Sequence, residues 1–220
     1  MDREKTLYIY KDDGVCMDLL PKIHDFFSKT LKNIFFVTAL DLEKFNVNPN
    51  HSIFCIPGGR DVPYQKKLKD KGVKEIKKFV ENGGVYIGIC AGAYFASSDF
   101  EFEKGSPLEI IEKRDLCFYP KKAVGPALGN GKFSYYSENG ALWPLIEFKD
   151  HNYSCPIYYN GGCCFPEVSE NEKVLGWYPN DTPAIISTQI LLGKAILSGV
   201  HPECVTGEKD REFLRTIFLT

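Results

Sequence analysis

The chain has 220 residues, of which 44% are hydrophobic and 14% aromatic, so it can bury a sizeable core without covalent cross-links. A net charge of −2 and the lack of a basic block argue against a nucleic-acid partner. A membrane span needs about 18 consecutive apolar residues, and no apolar run in the chain approaches that length. The first residues carry no hydrophobic signal segment, and we therefore expect a cytoplasmic protein that does not bind a membrane.

Strands and helices alternate through the first half of the chain. Leu20, Ile23 and Phe27 recur at helical spacing after the first strand. A second helix is predicted at residues 73–81, and a third at 91–97 directly after Cys90. The strands are predicted at residues 6–10, 34–38, 52–56 and 85–89.

The second half of the chain has a different pattern. Residues 100–152 contain many glycines and prolines, which favour short strands joined by turns. Further strands are predicted at residues 157–159, 173–178, 184–187 and 195–200, and a final helix at 208–218. The alternation in the first half predicts an α/β fold with a mostly parallel central sheet, to which the second half adds short strands. We expect residues 1–220 to form a single domain.

A buried strand runs into the sequence Gly88-Ile89-Cys90-Ala91-Gly92. This is the pattern of a nucleophile elbow, in which a tight turn between a strand and a helix exposes the nucleophile. The turn strains the backbone of the nucleophile, and the flanking glycines avoid clashes there. The segment therefore predicts Cys90 as a nucleophilic thiol.

A second segment, His201-Pro202-Glu203, also follows a predicted strand. Sites in parallel sheets form at the carboxyl ends of strands, so His201 and Cys90 can meet at one edge. A thiol attacks as thiolate and needs a base, which His201 can supply while Glu203 orients its ring. The oxyanion formed on the attacked carbonyl needs donors, for which the N–H groups of Gly58, Gly59 and Ala91 are predicted.

The blocks at residues 57–64, 88–94, 159–162 and 197–203 resemble the class I glutamine amidotransferase superfamily. The resemblance is closer to the amidotransferase-like domain at the N-terminus of biotin-protein ligases and to its free-standing bacterial relatives. It implies a flavodoxin-like three-layer sandwich and a Cys-His-Glu triad at Cys90, His201 and Glu203. Arg60, Tyr64, Tyr94, Asn160, Gly161 and Gly162 are then candidate substrate-binding residues.

The same resemblance limits the substrate. Amidotransferases of this kind usually carry glutamine four residues after the cysteine, and this chain has Tyr94 there. The chain also lacks a synthase domain and the Gly-Arg-Gly-Arg type motif of biotin ligation, so we do not expect it to ligate biotin by itself. The leading hypothesis is a hydrolase that attacks an amide or related acyl carbon of a small substrate. No metal or organic cofactor is expected.

Two alternatives remain open at this stage. The chain can be a non-enzymatic ligand-binding or regulatory module that binds a biotin-protein ligase in trans, or a thiol redox sensor based on Cys90. The other cysteines are interpreted as packing residues, and the adjacent pair Cys163 and Cys164 would form a disulfide only with strain. His24, His51 and His151 are assigned no role.

Overall fold

The computed structural model describes residues 4–129, 131–134 and 137–219, and this part of the chain forms twelve strands and five α-helices. The strands are β1 (Thr6–Tyr10), β2 (Asn33–Val37), β3 (Ser52–Ile56), β4 (Val85–Ile89), β5 (Ser97–Phe102), β6 (Ile110–Lys113), β7 (Tyr119–Gly125), β8 (Leu145–Phe148), β9 (Tyr153–Pro156), β10 (Glu172–Trp177), β11 (Pro183–Ile190) and β12 (Gly193–Ser198). The helices are α1 (Leu19–Ser28), α2 (Ala39–Leu42), α3 (Asp61–Glu81), α4 (Ala91–Phe95) and α5 (Glu208–Leu219).

The strands form a nine-stranded sheet in the order β2-β1-β3-β4-β12-β11-β10-β8-β9 and a separate three-stranded sheet in the order β6-β5-β7. The first five strands of the large sheet pair in parallel. The remaining strands pair antiparallel, so the sheet is mixed, with its parallel part built by the first half of the chain plus β12. The predicted α/β class is confirmed, with the extra short strands in the second half.

Helices cover both faces of the parallel part of the sheet. β3 is buried along its whole length, as expected for a parallel strand between two helical layers. α1 contacts α5, whereas α3 contacts both α2 and α4. These two groups of helices and the sheet between them make the predicted flavodoxin-like three-layer sandwich.

Two helices differ from the sequence-based expectation. α3 begins at Asp61, well before residue 73, and a break at Lys69, where φ is 48°, separates its two parts. α4 was expected to extend through residue 97 but ends at Phe95, because Ser97 pairs with Tyr119 in the three-stranded sheet. Strand pairing therefore overrides the local helical pattern at this point.

The expected strand at residues 157–159 is reduced to two isolated bridges. Tyr159 bridges to Leu142, and Tyr158 bridges to His201. Each residue thus pairs with a different segment, and no continuous ladder forms. The bridge from Tyr158 brings the 157–162 segment against the end of β12, where the predicted site lies.

None of the helices in the described ranges combines the length and the apolar character needed to cross a bilayer.

Candidate active site

Three neighbouring strands of the large sheet end at the same edge. β4 lies between β3 and β12 and runs parallel to both. β3 leads into the turn that contains Gly58, β4 ends immediately before Cys90, and β12 leads to His201. The three segments that the sequence marks as functional therefore meet because their strands are adjacent.

Cys90 occupies a strained turn between β4 and α4. Its backbone has φ 51° and ψ −106°, a conformation that costs about 1–3 kcal/mol for a residue with a side chain. The Cys90 N–H donates to the carbonyl of Ser198 over 2.7 Å, which fixes the turn against β12. A Cβ on Gly92 would lie 2.1 Å from the carbonyl oxygen of Ile56, and one on Gly88 would lie 2.6 Å from that of Gly92. The flanking glycines are therefore required by close backbone approach.

His201 lies between Cys90 and Glu203. Its Nδ1 is 2.8 Å from Oε1 of Glu203, and both side chains are buried. Its backbone N–H donates to the carbonyl of Tyr158 over 2.8 Å. Burial lowers the pKa of His201, but the Glu203 carboxylate and a hydrogen bond with Cys90 outweigh burial and raise this pKa to about 10. The site therefore favours the imidazolium form of His201 at neutral pH.

The turn at Gly58 and Gly59 packs directly against this group. A Cβ on Gly58 would lie 2.6 Å from Cε1 of His201 and 3.5 Å from Cβ of Cys90. Gly59 has a φ of 147°, and within the described residues no backbone carbonyl accepts its N–H. The Gly58 carbonyl accepts from the N–H of Cys16 over 3.0 Å. The oxyanion role of Gly58, Gly59 and Ala91 remains a prediction.

A cavity of about 600 Å³ opens in front of Cys90. The predicted site residues that line it are Gly59, Arg60, Cys90, Ala91, Tyr94, Asn160, Gly161 and His201. Glu203 and Gly58 do not line the cavity: Glu203 contacts Nδ1 of His201, and Gly58 packs against Cε1 of the same ring.

Tyr64 and Gly162 lie away from the cavity, although the sequence suggests substrate contact for both. Tyr64 is fully buried, and its hydroxyl donates to the carbonyls of Pro57 and Gly58 at 3.2 and 3.1 Å. A Cβ on Gly162 would lie 1.7 Å from the carbonyl oxygen of Gly199. Tyr64 thus supports the glycine turn, and Gly162 permits close packing beside β12.

Tyr94 takes a structural position inside the cavity. Its hydroxyl donates to the carbonyl of Gly161 over 3.0 Å, and burial raises its pKa well above the ordinary value. The adjacent carbonyl of Asn160 lies 3.8 Å from Sγ of Cys90. Tyr94 therefore connects α4, which follows the elbow, to the segment that faces the thiol.

Several cavity residues were not anticipated from the sequence. Gly14 and Cys16 belong to the loop after β1, which is a strand end like the others and was a usable signal. Asp61 lies in the wall and forms a buried ion pair with Arg114, whose Nε donates to Oδ2 over 2.7 Å. Burial raises the pKa of Asp61 to about 6, although Arg114 partly offsets this effect. No local motif predicts that pair, because its members are far apart in the chain.

One group in the described part of the chain could hold a metal ion. The ligand atoms of His201, Glu203 and Cys204 lie within 4.8 Å of one another. Burial, followed by the Glu203 charge, raises the pKa of Cys204 to about 12, so its thiol stays protonated at neutral pH and is a poor ligand. A metal ion would also compete with the contact between His201 and Glu203.

All eight cysteines are unpaired. Cys163 is fully buried, and its carbonyl accepts from the Tyr178 hydroxyl over 2.9 Å. Cys164 donates from Sγ to the carbonyl of Val124 at 3.4 Å. Cys163 and Cys164 therefore pack and form hydrogen bonds with neighbouring parts of the fold.

The fold is shared with enzymes of the glutamine amidotransferase type. A solved glutamine amidotransferase superposes with a TM-score of 0.68 at 19% identity, covering 97% of both chains. The PurLQS structure from Thermotoga maritima gives a TM-score of 0.65 at 13% identity, covering 99% of this chain and 100% of that chain. At these identities the likeness establishes the fold alone.

Sequence relatives are more specific. A biotin-protein ligase of Schizosaccharomyces pombe is 36% identical over 179 residues, which cover 76% of this chain and 28% of the ligase. An uncharacterized protein of Chlamydia muridarum is 38% identical over 156 residues, covering 69% of this chain and 60% of that protein. This chain thus matches less than two thirds of the length of either relative. The family model for the N-terminal part of biotin-protein ligase matches residues 5–215. The chain therefore belongs to the biotin-protein ligase N-terminal family.

Proposed function

We propose that the chain is a cysteine-dependent hydrolase in which Cys90 attacks an amide or related acyl carbon. The observation that carries this proposal is the position of His201, which lines the same cavity as Cys90 and places its Nδ1 2.8 Å from Oε1 of Glu203. A thiol, an imidazole and a carboxylate in this order are a nucleophile, a base and a group that orients the base.

The reaction proceeds through a covalent intermediate. The Cys90 thiolate forms a C–S bond to the carbonyl carbon, and the oxyanion accepts from the N–H groups of Ala91 and Gly59, near Gly58. The first N–H groups of a helix have no intrahelical partner, so that of Ala91 is free for this purpose. His201 gives its proton to the leaving amine, the C–N bond breaks, and a thioester remains. Water then attacks the thioester, with His201 taking the proton of water, and the acid is released with the thiol restored.

Glutamine is not the default substrate of this proposal. The position four residues after Cys90 holds Tyr94, whose hydroxyl is already bonded to the Gly161 carbonyl. Biotin ligation by this chain is also not proposed, because its sequence lacks the Gly-Arg-Gly-Arg type motif of that reaction. The proposed reaction needs neither a metal nor an organic cofactor.

Alkylation by iodoacetamide, mapped by peptide mass, tests the activated thiol. Cys16 lines the same cavity and is exposed, so it serves as an internal reference thiol. We expect Cys90 to react about tenfold or more faster than Cys16, although it is only 7% exposed, because His201 lines the cavity beside it and can take the proton of the attacking thiol. Equal rates for the two cysteines would contradict the proposal. Amide, ester and thioester probes, run beside Cys90→Ala, then identify the acyl class.

A second candidate is a regulatory module that binds a biotin-protein ligase in trans. The match to 28% of the yeast ligase favours it, because that relative carries a region like this one in the same chain as a ligase. The test is co-purification of this chain with the biotin-protein ligase of the same organism. If the Cys90→Ser variant still binds the ligase and the acyl probes do not react with the chain, the regulatory module is favoured over the hydrolase.

A further inference from the structure

The cavity in front of Cys90 has two chemically different parts. Its charged side chains Asp18, Lys22, Arg60 and Glu138 are exposed, and they include both signs. Because these side chains are in contact with water, they lie around the opening of the cavity. An incoming substrate therefore meets a mixed, solvated rim before it reaches the thiol.

The deeper side is apolar and is formed by Tyr94, Phe100, Phe102, Ile110 and Phe133, which we call the aromatic wall. Phe100 and Phe102 alternate on β5 and so share one face of the three-stranded sheet. The rings meet edge to face, with centroids 5.2 Å apart for Tyr94 and Phe100 and 5.1 Å apart for Phe102 and Phe133. The wall is thus a packed surface of ring edges and faces.

The buried carboxylate beside the wall is already neutralised. Asp61 pairs with Arg114 through two contacts of 2.7 Å, from Nε and from Nη2. The Arg114 guanidinium also lies over the Phe100 ring, 4.8 Å from its centroid. Nη1 of Arg114 also lies 2.7 Å from Oε2 of Glu112, so Arg114 is committed to two carboxylates and Phe100 and offers a substrate no free positive charge.

We propose that the aromatic wall binds an apolar group of the substrate, an aromatic ring or a branched alkyl chain, next to the reacting carbonyl. This inference rests on the proposed hydrolase function and narrows its substrate class. A charged amino-acid group placed there would lose its hydration without gaining a partner, which is costly. An apolar group placed there would gain by leaving water.

The experiment uses two 2-chloroacetamides with the same electrophile, one N-benzyl and one N-carboxymethyl. Rates of Cys90 alkylation in the whole chain are divided by each probe's rate with glutathione, which removes intrinsic reactivity. We expect a preference of about tenfold or more for the benzyl probe. Phe133→Ala, which removes a half-buried wall residue, should reduce this preference several-fold, whereas Phe35→Ala, an exposed phenylalanine on β2, should keep it.

Equal normalised rates, or an unchanged preference in Phe133→Ala, would overturn the proposal. Failure of the hydrolase function is a different result, in which Cys90 alkylates no faster than Cys16 with any reagent. In that case, non-reactive amides test the aromatic wall by protecting Cys90 from alkylation. We expect N-benzylacetamide to slow iodoacetamide labelling of Cys90 more than N-acetylglycine does. Equal protection by these two amides would overturn the proposal in that case. Thermal unfolding of the Phe133→Ala variant verifies that it is folded.

Discussion

Two regions face each other across the cavity, and they are built in different ways. The elbow region, comprising Cys90, His201, Glu203 and the Gly58 turn, lies at the ends of adjacent parallel strands. Most of the aromatic wall comes from the three-stranded sheet and the loop that holds Phe133, whereas Tyr94 lies on α4. The proposed reactive groups are thus held by the parallel part of the large sheet, whereas most of the surface proposed to meet the substrate is added by the three-stranded sheet.

Removal of the proposed base should affect the reactivity of the elbow region most. His201→Gln should lower acylation of Cys90 by an activated aryl ester by about 10²–10⁴, since it removes the group proposed to transfer the proton. The rate is measured by the burst of released phenol and by intact mass. The matched control is His24→Gln, an exposed histidine on α1, which should react at the wild-type rate. A fully reactive His201→Gln protein would remove His201 from the mechanism.

The wall region is tested most strongly through its buried ion pair. Arg114→Met should lower the free energy of unfolding by about 3–5 kcal/mol, because Asp61 is then a buried carboxylate without its partner. The Arg114 and Asp61 side chains are only 2% and 8% exposed. Urea unfolding measures the change, and Lys71→Met, which breaks the exposed pair with Glu43, should cost under about 1 kcal/mol.

A double variant separates pairing from packing at this position. Asp61→Leu combined with Arg114→Met removes both charges, and we expect it to be more stable than Arg114→Met alone. If the double variant is as unstable as the single one, packing of the arginine on Phe100 is the larger contribution.

The elbow also makes a steric demand, and Gly92→Ala tests it. The new Cβ would lie 2.1 Å from the backbone oxygen of Ile56, so strand or helix must shift, at a cost of about 1–3 kcal/mol. Gly105→Ala is the control, since its φ is +80° but nothing lies within 4 Å of its Cβ. The control should cost about 1 kcal/mol from backbone strain alone. A smaller cost for Gly92→Ala than for Gly105→Ala would contradict the close approach.

The sequence predicts the elbow region well for a physical reason. A buried strand followed by a special turn is a local pattern, and parallel strands bring their carboxyl ends together without further information. The sequence alone therefore predicts that the Cys90 and His201 segments lie at one edge of the sheet. Even here the extent of α4 was predicted wrongly, because pairing of Ser97 with Tyr119 depends on a distant segment.

The wall region was largely beyond prediction for the opposite reason. Phe102 and Phe133 are far apart in the chain, and Asp61 on α3 pairs with Arg114, which follows β6. Such contacts are set by which segments pair, and a single sequence does not encode that in any short window. The same applies to Tyr64, whose buried position beneath the Gly58 carbonyl follows from the packing of α3.

A further prediction concerns the charge on His201 within the elbow region. The His201 pKa is raised from 6.5 to about 10, and the Glu203 carboxylate is the largest cause that raises it. A base whose pKa is higher in the folded than in the unfolded state stabilises the fold at pH values below its unfolded-state pKa. This stabilisation is lost as the pH rises through the folded-state pKa. Glu203→Gln should therefore lower the His201 pKa, seen by NMR at Cε1–H, by about one unit or more, which is about 1.4 kcal/mol. The stability gap to wild type should be widest near about pH 6 and close towards about pH 10. The control is Glu147→Gln, which changes an exposed glutamate on β8 and should show no such pH-dependent difference in stability from wild type. A stability difference that widens with pH in Glu203→Gln would show that the carboxylate does not hold the imidazolium.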